Sequence, residues 1–143
     1  MRYIVATDGS EESDDAVRYA AEHAAALDGT LEIVHVLEPD AEIVNGEIVL
    51  PGGDGATALG EQTLEAAREL AQGVAEDYDT SLAVDTELLA GRPADALTNH
   101  AEVTGADAIY IGHRGLSEQR DLVVGSVAKS VVDKATIPVT VIR

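Results

Sequence analysis

Apolar and polar positions along this chain fall into two alternating kinds of segment. Tyr3 to Ala6 form a short apolar run of β-formers that ends at Asp8-Gly9, the pattern of a buried strand. Ser10 then stands where an N-cap is needed, with Glu11 and Glu12 in the first turn behind it. Ala16, Val17, Ala20, Ala21, Ala24 and Ala25 recur at helical spacing, and Gly29 is expected to end that helix. A second strand spans Leu31 to Leu37. Residues 38–57 carry Pro39, Pro51, Gly52, Gly53 and Gly55 with no clear period, and Asn45-Gly46 inside them suits a small hairpin. A second helix is predicted from about Leu59 to Tyr78, with Leu64, Ala67, Leu70, Ala71 and Val74 on its apolar face. Leu82 to Leu89 reads as a third strand. Pro93 suits the first position of a helix that ends at Gly105. "DAIYIG" is a fourth strand, a helix from Gly125 carries Val127, Val131 and Val132, and "IPVTVIR" is a fifth strand.

Strands that alternate with helices predict an α/β fold, a doubly wound five-stranded parallel sheet with helices on both faces. The strand order expected is 3-2-1-4-5. No repeat, low-complexity segment or linker interrupts residues 1–143, which read as a single domain.

Composition narrows the core. Aromatics are only 3% of the chain and Trp and Phe are absent, so Val, Ile, Leu and Ala must build the interior. Without cysteine there is no disulfide, thiolate metal site or cysteine nucleophile. No apolar run reaches the length of a membrane span, and "MRYIVATDGS" lacks the form of a signal peptide, so a cytoplasmic location is expected. The net charge is −18, which repels nucleic acid and anionic membranes. The acids are spread through every segment, a dispersal that fits a halophile: molar salt shortens the screening length to about 3 Å and quiets self-repulsion.

The chemistry is expected where the strand order reverses, between strands one and four, because open α/β sheets bind ligands beyond the strand ends there. Asp8 would then stand on one wall and Gly112 on the other. The stretch "YIGHRGLSEQRDLVVGSVAKS" supplies Gly112 and Gly115, expected to let backbone approach a ligand at positive φ, and Gly125-Ser126 at a helix start. Free amides and the dipole of that helix attract phosphate, and the Ser126 hydroxyl adds a donor. Turn chemistry is the competing reading of each position. Arg114 and Arg120 belong to the same stretch, as phosphate partners or as solvated loop arginines. His113 is a polar pocket candidate rather than a catalytic base, and His35 reads as a packed strand histidine.

On these residues the chain resembles the universal stress protein family. Gly112, Gly115, Gly125 and Ser126 fit the family pattern Gly-x2-Gly-x9-Gly-(Ser/Thr). The opening strand–"TDGS"–helix, "GRPAD" and the closing "IPVTVIR" extend the likeness over essentially the whole chain. The intact pattern is similar to that of the ATP-binding members. The resemblance implies that Asp8 lines the pocket and Val36 contacts the adenine. Gly112 and Gly115 would face the ribose and α-phosphate, and Gly125, Ser126 and Val127 would hold the phosphates. It further implies a homodimer in which Ile137 to Ile142 pair across a two-fold axis. An acidic surface repels ATP at low salt, so Mg²⁺ is expected with it.

Two functions compete. One is an ATP-binding stress or signalling module that works through binding and dimerisation. The other is a slow ATPase of the same fold. There is no Gly-x4-Gly-Lys-Ser/Thr and no paired base and nucleophile, which favours binding and leaves no residue to name as catalytic and none as a metal ligand. A structural dimer that binds no nucleotide is the third reading. A phosphoacceptor receiver domain fits poorly, because Asp8 lacks an adjacent acid.

Overall fold

The structure is a computed structural model that describes residues 1–38, 42–44, 47–49, 54–114 and 124–143. Its elements are β1 (Arg2–Ala6), α1 (Glu11–Ala26), β2 (Thr30–Leu37), β3 (Glu42–Val44), β4 (Glu47–Val49) and α2 (Asp54–Asp77), then β5 (Ala83–Ala90), α3 (Pro93–Thr104), β6 (Ala108–Gly112), α4 (Ser126–Lys134) and β7 (Val139–Ile142). The main sheet is parallel in the order β5-β2-β1-β6-β7. With β3 and β4 set aside this is the expected 3-2-1-4-5. β3 and β4 pair antiparallel, Ile43 opposite Ile48. That is the hairpin expected around Asn45-Gly46, two residues that lie outside the described ones.

Strand alternation divides the interior into two layers. Tyr3, Val5, Leu31, Ile33 and Tyr110 face α1 and α2, whose Ala16, Val17, Ala20, Ala24, Ala67 and Ala71 lie against them. Ile4, Val34, Ile109 and Ile111 face α3 and α4, meeting Leu97, Ala101, Ala128 and Val131. Small alanines on the helices let them sit close to a sheet of branched residues, so this interior is built with few aromatic side chains. Tyr110, whose hydroxyl burial pushes above its ordinary value, lies 2.9 Å from His23 Nδ1 and ties β6 to α1.

Helix ends account for two departures from expectation. Ser10 caps α1 as anticipated, its hydroxyl accepting the Ser13 N–H at 3.2 Å. At the other end Asp28, not Gly29, takes the left-handed conformation (φ 54°), while the Gly29 N–H donates to Ala24 at 2.8 Å. Gly29 is needed for another reason: a β-carbon there would stand 2.6 Å from Tyr3 Cε2 and 2.9 Å from the Met1 carbonyl. Asp79 closes α2 in the same left-handed way (φ 51°), and Gly105 closes α3 as expected (φ 67°). The second departure is the start of α2, at Asp54 rather than near Leu59. Gly60 lies inside it, where a β-carbon would come within 2.8 Å of Leu88 Cδ1. Gly55, which reads as loop in the sequence, therefore belongs to this helix, and Gly60 lets the helix pack closely on β2 and β5.

One buried carboxylate has no counterpart in the expected core. Glu32 of β2 is 5% exposed, and its two oxygens meet Arg2 Nη2 and His100 Nε2. This cluster joins β1, β2 and α3 at the N-terminal end of the strands, away from the reversal of strand order.

Candidate functional site

A cavity of about 320 Å³ opens beyond the carboxyl ends of β1, β2 and β6, where the strand order reverses. One part of its wall is apolar. Val34 and Val36 from β2, Ile111 from β6, Pro93 and Leu97 from the first turns of α3, and Val127 and Ala128 from α4 form a slot on the α3–α4 side of the sheet. The other part is polar: Thr7, Asp8 and Ser13, then Gly112, His113, Arg114 and Gly125.

The β1–α1 turn is fixed by its own side chains. The Asp8 carboxylate accepts the Ser10 N–H at 3.0 Å, Thr7 Oγ1 accepts the Gly9 N–H at 3.2 Å, and Thr7 and Ser13 hydroxyls lie 3.1 Å apart. Gly9 supplies the positive φ of 83° that lets the chain reverse into α1. Asp8 thus fills the turn role and lines the cavity as well. His35 Nδ1 meets the Thr7 carbonyl at 2.7 Å, pinning the end of β1 to β2. A carbonyl only accepts, so this nitrogen carries the hydrogen.

On the opposite wall β6 ends in Gly112. This glycine does not adopt a positive φ, and its missing side chain faces α1, not the cavity. A β-carbon there would come within 2.9 Å of the Glu12 carbonyl oxygen. The expected positive φ is therefore corrected: the missing side chain of Gly112 lets the first turn of α1 seat on β6, while the residue itself lines the cavity. Arg114 lines the cavity while its guanidinium is held by Glu12 at 2.6 Å. Gly125 is the N-cap of α4 in extended backbone (φ −65°, ψ 161°) with no side-chain cap, and its N–H donates to the His113 carbonyl. The remaining first-turn amides of α4 carry the positive end of the helix dipole.

Of the residues singled out in the sequence, Asp8, Val36, Gly112, Arg114, Gly125 and Val127 come together around this cavity. Ser126, the first residue of α4, is exposed and does not line it. Gly115 and Arg120 lie outside the described residues. Pro93 and Leu97 line the cavity and were not anticipated. Their signal was present in "GRPAD": a helix that starts directly after a strand end puts its first two turns at the carboxyl edge of the sheet. Charged groups on the described lining are Asp8 and Glu38 against Arg114.

A profile of the universal stress protein family matches residues 1–143. A universal stress protein of Thermus aquaticus is 32% identical over 143 residues, which cover 98% of this chain and 96% of the relative. Among solved structures, a universal stress protein from Archaeoglobus fulgidus in complex with dAMP has a TM-score of 0.76 at 26% identity, over 100% of this chain and 98% of that one. A universal stress protein in complex with cAMP has a TM-score of 0.75 at 25% identity, over 100% and 96% of the two chains. With its fold, its strand order and its whole described length accounted for in this way, the chain belongs to the universal stress protein family.

Proposed function

We propose that this chain is an adenine-nucleotide-binding stress-response module of the cytoplasm, one domain that works through binding and dimerisation, with ATP and Mg²⁺ as its ligand. The observation that carries the reading is the cavity itself: an apolar slot that leads directly to an uncapped helix N-terminus at the strand-order reversal. Adenine occupies the slot against Val36. Gly112 and Gly115 face the ribose and α-phosphate, beside Asp8 and Arg114, and Gly125, Ser126 and Val127 hold the phosphates. The dAMP and cAMP complexes of the related proteins support an adenine nucleotide as ligand class. Mg²⁺ offsets the charge of a triphosphate in a lining that includes the carboxylates of Asp8 and Glu38.

Dimerisation is supported by the contrast between the two sheet edges. β5 exposes Asp85 and Glu87. Charges on an edge strand discourage further pairing. β7 reads Val-Thr-Val-Ile and carries no charge. Two such strands from two copies, within Ile137 to Ile142, pair across a two-fold axis in this reading.

The test is nucleotide analysis of protein purified and then denatured, followed by titration with MgATP in molar salt. Bound adenine nucleotide and saturable heat are expected. Gly125→Val sets a β-branched side chain at the mouth of α4 and should weaken binding strongly with the fold retained. Protein without nucleotide and without heat, or a Gly125→Val variant with unchanged affinity, overturns the reading.

A further inference from the structure

The two ring nitrogens of His113 stand in different situations. The His113 main-chain N–H donates to the Ile142 carbonyl at 2.8 Å, and ring Nδ1 meets the same oxygen at 3.1 Å. Since a carbonyl only accepts, Nδ1 carries a hydrogen whether the imidazole is neutral or charged. Nε2 is then the atom that changes: an acceptor in the neutral ring, a charged donor in the protonated one. Among the described residues no hydrogen-bond partner meets Nε2. His113 is 6% exposed and lines the cavity. Its carbonyl accepts the Gly125 N–H, which sets the residue beside the N-terminus of α4.

We propose that His113 is a proton-dependent phosphate contact: protonated Nε2 donates to the phosphate of the bound nucleotide, so that binding tightens as pH falls. The inference rests on the nucleotide reading above and adds to it a residue and a form of regulation. Among the described residues, the charged and titratable groups that share the cavity lining with His113 are Asp8 from the β1–α1 turn, His35 and Glu38 from the end of β2, and Arg114, which Glu12 of α1 holds; Arg143 follows Ile142 in the chain. The first turn of α4 has no acidic residue. Arg114 is answered by Glu12, so a proton on His113 adds positive charge where the lining otherwise holds carboxylates. By reciprocity, a bound phosphate favours the protonated ring by the same factor.

The ligand for the test is cAMP. Its phosphodiester keeps a single charge between pH 5.5 and 8.5, whereas a terminal phosphate monoester titrates near pH 6 and would obscure the result. Calorimetric titration in molar salt should show cAMP bound about tenfold more tightly at pH 5.5 than at 8.5, because the neutral ring has no hydrogen on Nε2 to donate and the protonated ring makes a charge-assisted hydrogen bond. Adenosine, which lacks phosphate, should show no such change. His113→Asn keeps an N–H for Ile142 but cannot take a charge. It should hold its thermal stability and lose the pH dependence of cAMP binding. Nitrogen NMR of the ring at pH 8 should show the Nδ1–H tautomer. A pH dependence that persists in His113→Asn, one shared by adenosine, or an Nε2–H tautomer overturns the role of His113. So does binding of MgATP without cAMP, since a single phosphate would then not reach the ring. Absence of heat with cAMP, adenosine and MgATP alike overturns the nucleotide reading, and this inference with it.

Discussion

The carbonyl oxygen of Glu12 lies 2.9 Å from the point where a β-carbon on Gly112 would stand. The neighbour is helix backbone, which cannot rotate out of the way, so a methyl group must push α1 off β6. Gly112→Ala should cost about 1–3 kcal/mol, the usual penalty for overpacking. Gly73 of α2 is the internal control: nothing lies within 4 Å of its β-carbon position. Gly73→Ala should stabilise by about 0.5–1 kcal/mol through helix propensity. Urea unfolding of the two variants should move the midpoint in opposite directions. A neutral Gly112→Ala would mean that α1 is not seated on β6 as described.

Glu32 yields the second prediction. Its carboxylate is buried and holds both Arg2 and His100. Removing one member of a buried charged cluster leaves the others without their counter-charge. Glu32→Ala should therefore cost about 3 kcal/mol, at the low end of the usual range because the Arg2 side chain is 32% exposed. Arg2→Met in the same chain should add less than it costs alone, since the two groups share one interaction. Strictly additive losses in this double-mutant cycle would show that the cluster contributes nothing as a unit.

Periodicity made the architecture legible, because each strand is a short apolar run and each helix buries one alanine-rich stripe. The candidate site was legible in part, for the same reason: Asp8, Val36, Gly125 and Val127 sit at element ends that the periodicity locates. What escaped depends on three-dimensional contact. Asp28 takes the left-handed position because Gly29 is already committed to the close approach of Tyr3 and Met1. Glu32 looks like the polar position of an alternating strand until Arg2 and His100, far apart in sequence, converge on it. Pro93 and Leu97 look like ordinary helix-start and core residues until the sheet order brings α3 beside β2. Gly112 is a cavity residue whose close contact with the Glu12 backbone no sequence rule shows, because none says which face a missing side chain points to.

The β7 edge gives a prediction about assembly. The Ile142 and Pro138 carbonyls accept hydrogen bonds from His113 and Ile109 of the β6 side. Main-chain groups of a strand alternate in direction, so those of Val139 and Val141 point away from the sheet. Pro138 thus costs the outer edge no donor. Val141→Pro removes one outward N–H and leaves the β6–β7 ladder intact, a substitution edge strands tolerate. Under the proposed dimer, light scattering in high salt should give twice the chain mass for wild type and a monomer for Val141→Pro, with circular dichroism unchanged. A variant that keeps the wild-type mass would remove this edge from the interface.

Asp14 and Asp95 should respond to pH with opposite sign. Burial raises the Asp14 carboxyl above its ordinary value of 3.8, Arg18 opposes the shift, and Asp15, Asp8 and Glu11 add to it. The hydrogen bond and the charge of Lys134 hold Asp95 below the same ordinary value. A raised value in the folded state means stability that is present in acid and lost as pH rises through it, so ionised Asp14 is a liability at neutral pH. Asp14→Asn should then raise the melting temperature at pH 7 and change it little at pH 3. A lowered value means stability present above 3.8 and lost as pH falls, so Asp95→Asn should lower the melting temperature at pH 7 by a small amount, as an exposed pair permits. Salt separates the causes further. With a net charge of −18, wild type should melt higher in molar salt than in dilute buffer. The Asp95 effect should fade there, because it is charge attraction at the surface, and the Asp14 effect should persist in part, because burial does not depend on salt. Melting curves at pH 3 and 7, each in dilute and molar salt, decide the matter. Two variants that shift in the same direction at pH 7 would contradict the assignment of these environments.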